Sequence, residues 1–133
     1  MTLWQPGMRI TSNRLNDGPP VISTNSGLLA GSGFTVNDFR GYRTGRSFVL
    51  DLYLLRTGAA IVLTSGNLPD TTCATVPVGW RPTNGTINGA WDDGTSFGGF
   101  VLGTDGLATL RTSNLDIANG RNLRLHAEFI IDN

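Results

Sequence analysis

His126 is the only histidine and Cys73 the only cysteine among the 133 residues, so most acid–base, nucleophilic or metal chemistry would have to be built around one of them. Cys73 lies in the strand-like run Cys73-Ala74-Thr75-Val76, where a small apolar side chain faces a core. Alone, it can form neither an intramolecular disulfide nor a thiolate cluster. His126 sits between Arg124 and Glu128 in the alternating run that ends the chain, the pattern of a charged stripe across strands. A Ser-His-Asp site around it is formally possible, with no Gly-x-Ser-x-Gly nucleophile elbow expected to accompany it. Catalytic zinc needs about three His, Cys or carboxylate ligands in one place, which this inventory hardly supplies. Asp92-Asp93 pairs two carboxylates, but with Gly94-Thr95 behind them they read as a turn, and the spaced acidic loop of a calcium site is missing. Gly31-Ser32-Gly33 and Gly98-Gly99 lack the strand-to-helix context and the lysine of a phosphate loop. The expectation is a protein that is not an enzyme and uses no cofactor or metal.

The elements that would hold these residues are strands. Phe48, Leu50, Leu52 and Leu54 alternate with Val49, Asp51, Tyr53 and Leu55, a period of two with one strongly apolar face. Leu123, Leu125, Ala127, Phe129 and Ile131 do the same at the end of the chain. Residues 86–91, 97–102 and 107–111 give three more strands, with turns at Asp92-Asp93-Gly94, Asp105-Gly106 and Ala118-Asn119-Gly120. Thr57-Gly58 is expected to fold residues 59–64 back as a hairpin. This spacing predicts an all-β, antiparallel β-sandwich or jelly-roll-like domain over residues 47–133. Residues 1–46 carry sparse apolar positions without a lasting period and are broken by Pro6-Gly7, Asp17-Gly18-Pro19-Pro20 and Asn25-Ser26-Gly27. They are expected to form an extended arm that orders against a partner, the alternative being a strand docked on its own domain.

Composition points the same way. Gly, Thr and Asn occur 18, 16 and 11 times, Glu once and Lys never, which disfavours helix and favours short strands with tight turns. All ten basic residues are arginine, and they balance ten acids to a net charge of zero. A nucleic-acid binder usually gathers a basic excess on one face, so nucleic acid is not an expected partner. The most apolar stretch, Phe48 to Leu63, is interrupted by Asp51, Arg56 and Gly58 and is not expected to span a membrane. No charged segment followed by an apolar run opens the chain, and the expectation is a soluble protein made in a cytoplasm.

Two stretches carry a resemblance. Thr75-Val76-Pro77-Val78-Gly79-Trp80-Arg81-Pro82, followed by Asp105-Gly106-Leu107-Ala108-Thr109-Leu110-Arg111, resembles the C-terminal β-domain of bacteriophage fibre and decoration proteins. The opening Trp4-Gln5-Pro6-Gly7-Met8-Arg9-Ile10-Thr11 and its continuation to Asn16 is similar to the start of small virion proteins in phages of actinobacteria. The resemblance implies a virion structural protein on the particle surface, most simply a capsid decoration (head fibre-like) protein. Its β-domain would be a homotrimer, and its partner the major capsid protein or another virion protein. Trp4, Met8, Ile10 and Leu15 are the candidate anchors, with the basic cluster Arg40, Arg43 and Arg46. The alternative is a tail-fibre domain that recognises a host surface glycan through loop aromatics and acids, with Trp80, Trp91, Asp92 and Asp93 as candidate contacts.

Overall fold

The computed structural model describes residues 20–132. They form nine strands: β1 (Val21–Thr24), β2 (Leu29–Ala30), β3 (Phe34–Thr44), β4 (Ser47–Arg56), β5 (Thr71–Thr75), β6 (Ile87–Asp92), β7 (Phe97–Leu102), β8 (Leu107–Leu110) and β9 (Asn122–Ile130). The all-β antiparallel class is as expected. Hydrogen bonding is continuous through one sheet in the order β1-β3-β4-β9-β6-β7-β8-β5-β2, which curls into a half-barrel.

β4 and β9 form its spine, in register from Ser47↔Ile130 to Leu55↔Asn122. Their period of two is realised: Phe48, Leu50, Leu52, Leu54, Leu123, Leu125, Ala127 and Phe129 are buried, while Asp51, Arg124, His126 and Glu128 face outward. The inward side chains meet Phe34, Phe39, Trp91, Phe100, Leu102 and Leu110 in a single core. At roughly 1.5–3 kcal/mol for each fully buried side chain of this size, that cluster supplies the main force holding the curl closed.

The division expected at residue 46 does not describe this fold. β1 and β3 belong to the sheet, with Val21↔Thr44 through Thr24↔Gly41 and Phe34↔Arg56 through Thr44↔Ser47, so residue 46 falls in the turn joining β3 to β4. Gly45 makes that turn at φ +59°, a conformation glycine adopts without strain. β2 pairs with β5 at the opposite edge. Residues 21–44 are therefore part of the β-domain. The remainder of the expected arm, residues 1–19, lies outside the described residues.

The hairpin expected at Thr57-Gly58 is also absent, because both of β4's edges are already occupied by β3 and β9. The amides of Thr57 and Gly58 instead both donate to the Gly33 carbonyl, at 2.9 and 3.0 Å. Arg56 clamps the departing chain: its Nε and Nη2 donate to Ala59 O at 3.0 and 2.8 Å, and its guanidinium lies 4.7 Å from the Phe34 ring centroid. Residues 57–70 then run as a loop held by an Ile61↔Ile117 bridge. The other turns fall where expected, with Gly94, Gly106 and Gly120 all at positive φ.

Candidate functional site

The outward face of β3, β4, β9, β6 and β7 carries a cluster of charged and aromatic side chains. A groove of about 750 Å³ runs across it, lined by Asp38 and Arg40 of β3, Asp51 and Tyr53 of β4, Arg124 and His126 of β9, Ala90 and Asp92 of β6, and Phe97 of β7. Strand alternation places them. Asp51 and His126 are register partners, as are Tyr53 and Arg124, and Ala90 and His126. The charged stripe anticipated around His126 thus exists and extends over three strands.

His126 is held between two carboxylates: Nδ1 lies 2.7 Å from Asp51 Oδ1 and Nε2 lies 2.9 Å from Glu128 Oε1. Only the protonated ring donates to both. The hydrogen bonds to Asp51 and then Glu128 raise the imidazole pKa above its ordinary value, with partial burial opposing them. Because the folded ring holds its proton more tightly than the unfolded one, the stabilisation is fully present below about pH 6.5. It fades as pH rises through the higher folded value. The imidazole is about half exposed, so solvent screens the effect and it is small. His126→Gln should remove this fall in thermal stability above about pH 6.5 while leaving the fold intact. An identical slope in the variant would rule the double contact out in solution.

The sequence candidates are scattered. Arg40, Arg43 and Arg46 share no face, because alternation along β3 separates the first two. Arg40 points outward and pairs with Asp38 (Nε–Oδ2 3.2 Å). Arg43 turns to the other side, 5.6 Å from the Trp80 ring and 5.8 Å from that of Phe48. Arg46 lies exposed in the β3–β4 turn, its carbonyl accepting the Ile131 amide at 2.9 Å. Trp4, Met8, Ile10 and Leu15 lie outside the described residues.

The glycan-contact candidates fare no better as a group. Trp91 is 2% exposed and donates Nε1–H to Thr112 O at 3.0 Å. Trp80 packs edge-on against Phe48, with ring centroids 5.8 Å apart, closing the end of the core. Asp93 has no exposed side-chain surface, since it folds its own loop. It accepts the Ser96 hydroxyl at 2.6 Å and the amides of Ser96 and Thr95. Burial alone would raise its pKa; the bonds from Ser96 and Thr95, with Arg121 nearby, lower it. Asp92 alone of the four remains on the open face. Cys73 is fully buried, its Sγ 3.4 Å from Ala108 O, and burial pushes the thiol up to about 12. It is an inert core residue at neutral pH.

Contrary to the expectation of no nucleophile elbow, the chain does carry one such spacing. Gly94-Thr95-Ser96-Phe97-Gly98 has the spacing of a serine-hydrolase nucleophile elbow. Here it joins β6 to β7 rather than a strand to a helix, and Ser96 is 2% exposed with its hydroxyl given to Asp93. Both nitrogens of His126 are engaged by carboxylates, so it is not poised to take the serine's proton. The aromatic ring most open to the groove is that of Phe97. It stands with Trp80, Trp91 and Phe100 among the aromatics near Gly-rich turns, and sequence alone does not single it out from them.

No protein-family model matches this chain, and comparison with curated proteins gives no match. The face is read from its own chemistry.

Proposed function

We propose that this chain is a structural protein of a bacteriophage particle, a capsid decoration protein whose N-terminal segment anchors it and whose β-domain projects outward as a homotrimer. The observation that carries this reading is that the two halves of the C-terminal resemblance meet in one corner. Val76 N donates to Gly106 O at 2.8 Å, and Arg81 Nε donates to Val76 O at 2.7 Å. Gly106 sits at φ +85°, and a Cβ there would stand 2.6 Å from Val76 O. Residues far apart in the chain are thus matched as parts of one fold-building device, as expected of a domain shared for its architecture rather than its chemistry.

A second feature supports assembly. Ile130 is 74% exposed on the otherwise polar face of β9 and, with Val49 and Ile87, lines a second groove beside the β3–β4 turn. The proposed assembly would cover this exposed side chain and the half-buried Val49 and Ile87 beside it. Three copies rather than two follow from the resemblance alone.

The test is to separate DNA-filled heads from tails and ask where the protein travels. It should follow the heads, and the isolated chain should sediment as a trimer. A protein found only with tails, or one that remains a 14.2 kDa monomer at micromolar concentration, sinks the reading. Trp4→Ala should weaken head binding by about tenfold or more, since burying a large apolar side chain contributes roughly 1.5–3 kcal/mol.

A further inference from the structure

The outward groove holds an aromatic ring that the fold leaves unused. Phe97 is 62% exposed, although its backbone is fixed on both sides: its amide donates to Asn114 Oδ1 at 2.9 Å and its carbonyl accepts the Asn114 amide at 3.1 Å. A large apolar side chain held in water on a fixed backbone contributes nothing to the core. Across the groove Tyr53 presents a second ring, with the Arg124 guanidinium 4.9 Å from its centroid, which holds both planar groups in place. Between them the floor is low, because Ala90 is the residue opposite His126.

The polar lining is of mixed sign. Asp38, Asp51 and Asp92 face Arg40 and Arg124, and His126 adds a third cation when protonated. A strongly anionic or cationic ligand would meet like charges as often as opposite ones. A neutral molecule rich in hydroxyls would not. Its hydroxyls can donate to the carboxylates and accept from the planar guanidinium donors. Asp92 and Arg124 are register partners on adjacent strands, with no ion pair between them among the described residues. An acceptor and a donor therefore stand side by side without consuming each other. At about 750 Å³ the groove falls within the roughly 300–1,000 Å³ typical of small-molecule sites.

We propose that this groove is a saccharide-binding site, in which Phe97 stacks on the apolar face of a neutral sugar ring and Asp92 and Arg124 hydrogen-bond its hydroxyls. The site does not depend on the virion reading. It relocates glycan recognition from Trp80, Trp91 and Asp93, which build the fold, to the open face of the sheet, where only Asp92 of those four is placed.

The experiment screens the isolated protein on an array of neutral, acidic and basic oligosaccharides, then titrates the best neutral hit by calorimetry. Wild type should bind a neutral oligosaccharide. Phe97→Ala and Arg124→Gln should each weaken binding at least tenfold with an unchanged circular dichroism spectrum, and Phe97→Tyr should retain it. Three results would overturn the proposal: no neutral hit on the array, a preference for acidic or basic sugars only, or affinity unmoved by both Phe97→Ala and Arg124→Gln. If Phe97→Ala fails to fold, sugar-induced amide shifts confined to Gly98, Asp92 and Arg124 in the wild-type spectrum support the site equally well, and shifts elsewhere reject it. A protein that binds sugar yet ignores phage heads defeats the virion reading alone. One that decorates heads and binds no sugar defeats this inference alone.

Discussion

Deleting residues 1–40 should abolish folding, whereas deleting residues 1–19 should leave the described domain intact. The longer deletion removes β1 and β2 entirely and takes Phe34 and Phe39 out of the core. It leaves only Gly41 to Thr44 of β3 to pair with β4, so Asp51 to Arg56 lose their β3 partners, and Asp51 to Leu55 keep only those on β9. The Gly31 amide bonded to Cys73 O at 2.8 Å and the Gly33 carbonyl that turns the chain after Arg56 are lost as well. A net stability of about 5–15 kcal/mol cannot absorb two buried aromatics and most of a ten-residue ladder. The 41–133 fragment should be aggregated or without native β-sheet circular dichroism, while the 20–133 fragment keeps the wild-type spectrum. Under the virion reading, the 20–133 fragment should also lose its affinity for heads. A soluble 41–133 fragment with dispersed amide resonances would show that the first strands are dispensable.

Two residues of β3, Asn37 and Gly41, explain why the apolar pattern places the domain boundary at 46 and the fold does not. β3 carries a bulge at Asn37, where the register jumps from Val36↔Leu54 to Asp38↔Tyr53. Phe34 and Val36 point inward before it, and Phe39 and Gly41 after it, so the inward positions change from even to odd within one strand. A period-two reading breaks there, and the segment looks aperiodic. One of the inward positions is also a glycine: a Cβ at Gly41 would stand 2.8 Å from the Trp80 ring, so the residue carries no hydrophobic signal at all. β4 and β9 have neither complication, and their alternation is legible to the residue. Asp93 and Trp91 show the opposite failure. Their types are those of binding sites, but whether an aromatic near a turn faces the core or solvent depends on the inward phase of its strand. Residues 87–92 set that phase through Gly89 and Ala90, which sequence reads ambiguously. The groove itself depends on five strands that are not consecutive in sequence, brought together by the β9–β6 pairing. Nothing local encodes that juxtaposition.

Phe39→Ala should be among the most damaging single substitutions in the chain. The side chain is 1% exposed and belongs to the one core cluster, beside the spine strand β4 through its register partner Leu52. Truncating a buried phenylalanine removes its transfer free energy and leaves a cavity, together costing about 3–5 kcal/mol. The neighbouring backbone has little freedom to collapse into the space. Phe39 N is bonded to Asp38 Oδ1 at 2.9 Å immediately after the bulge, and the Gly41 position two residues on is pressed against Trp80. With a urea m value of about 1–3 kcal/mol/M, the denaturation midpoint should fall by more than about 1 M, with m itself unchanged. An arm residue would behave differently. If Phe39 served only to contact a partner, the isolated protein would lose no more than about 0.5 kcal/mol, the range of surface substitutions, and only attachment would suffer. A midpoint within error of wild type would return residues 34–44 to the arm and set aside the sheet order described here. A large drop would fix β3 as a core strand.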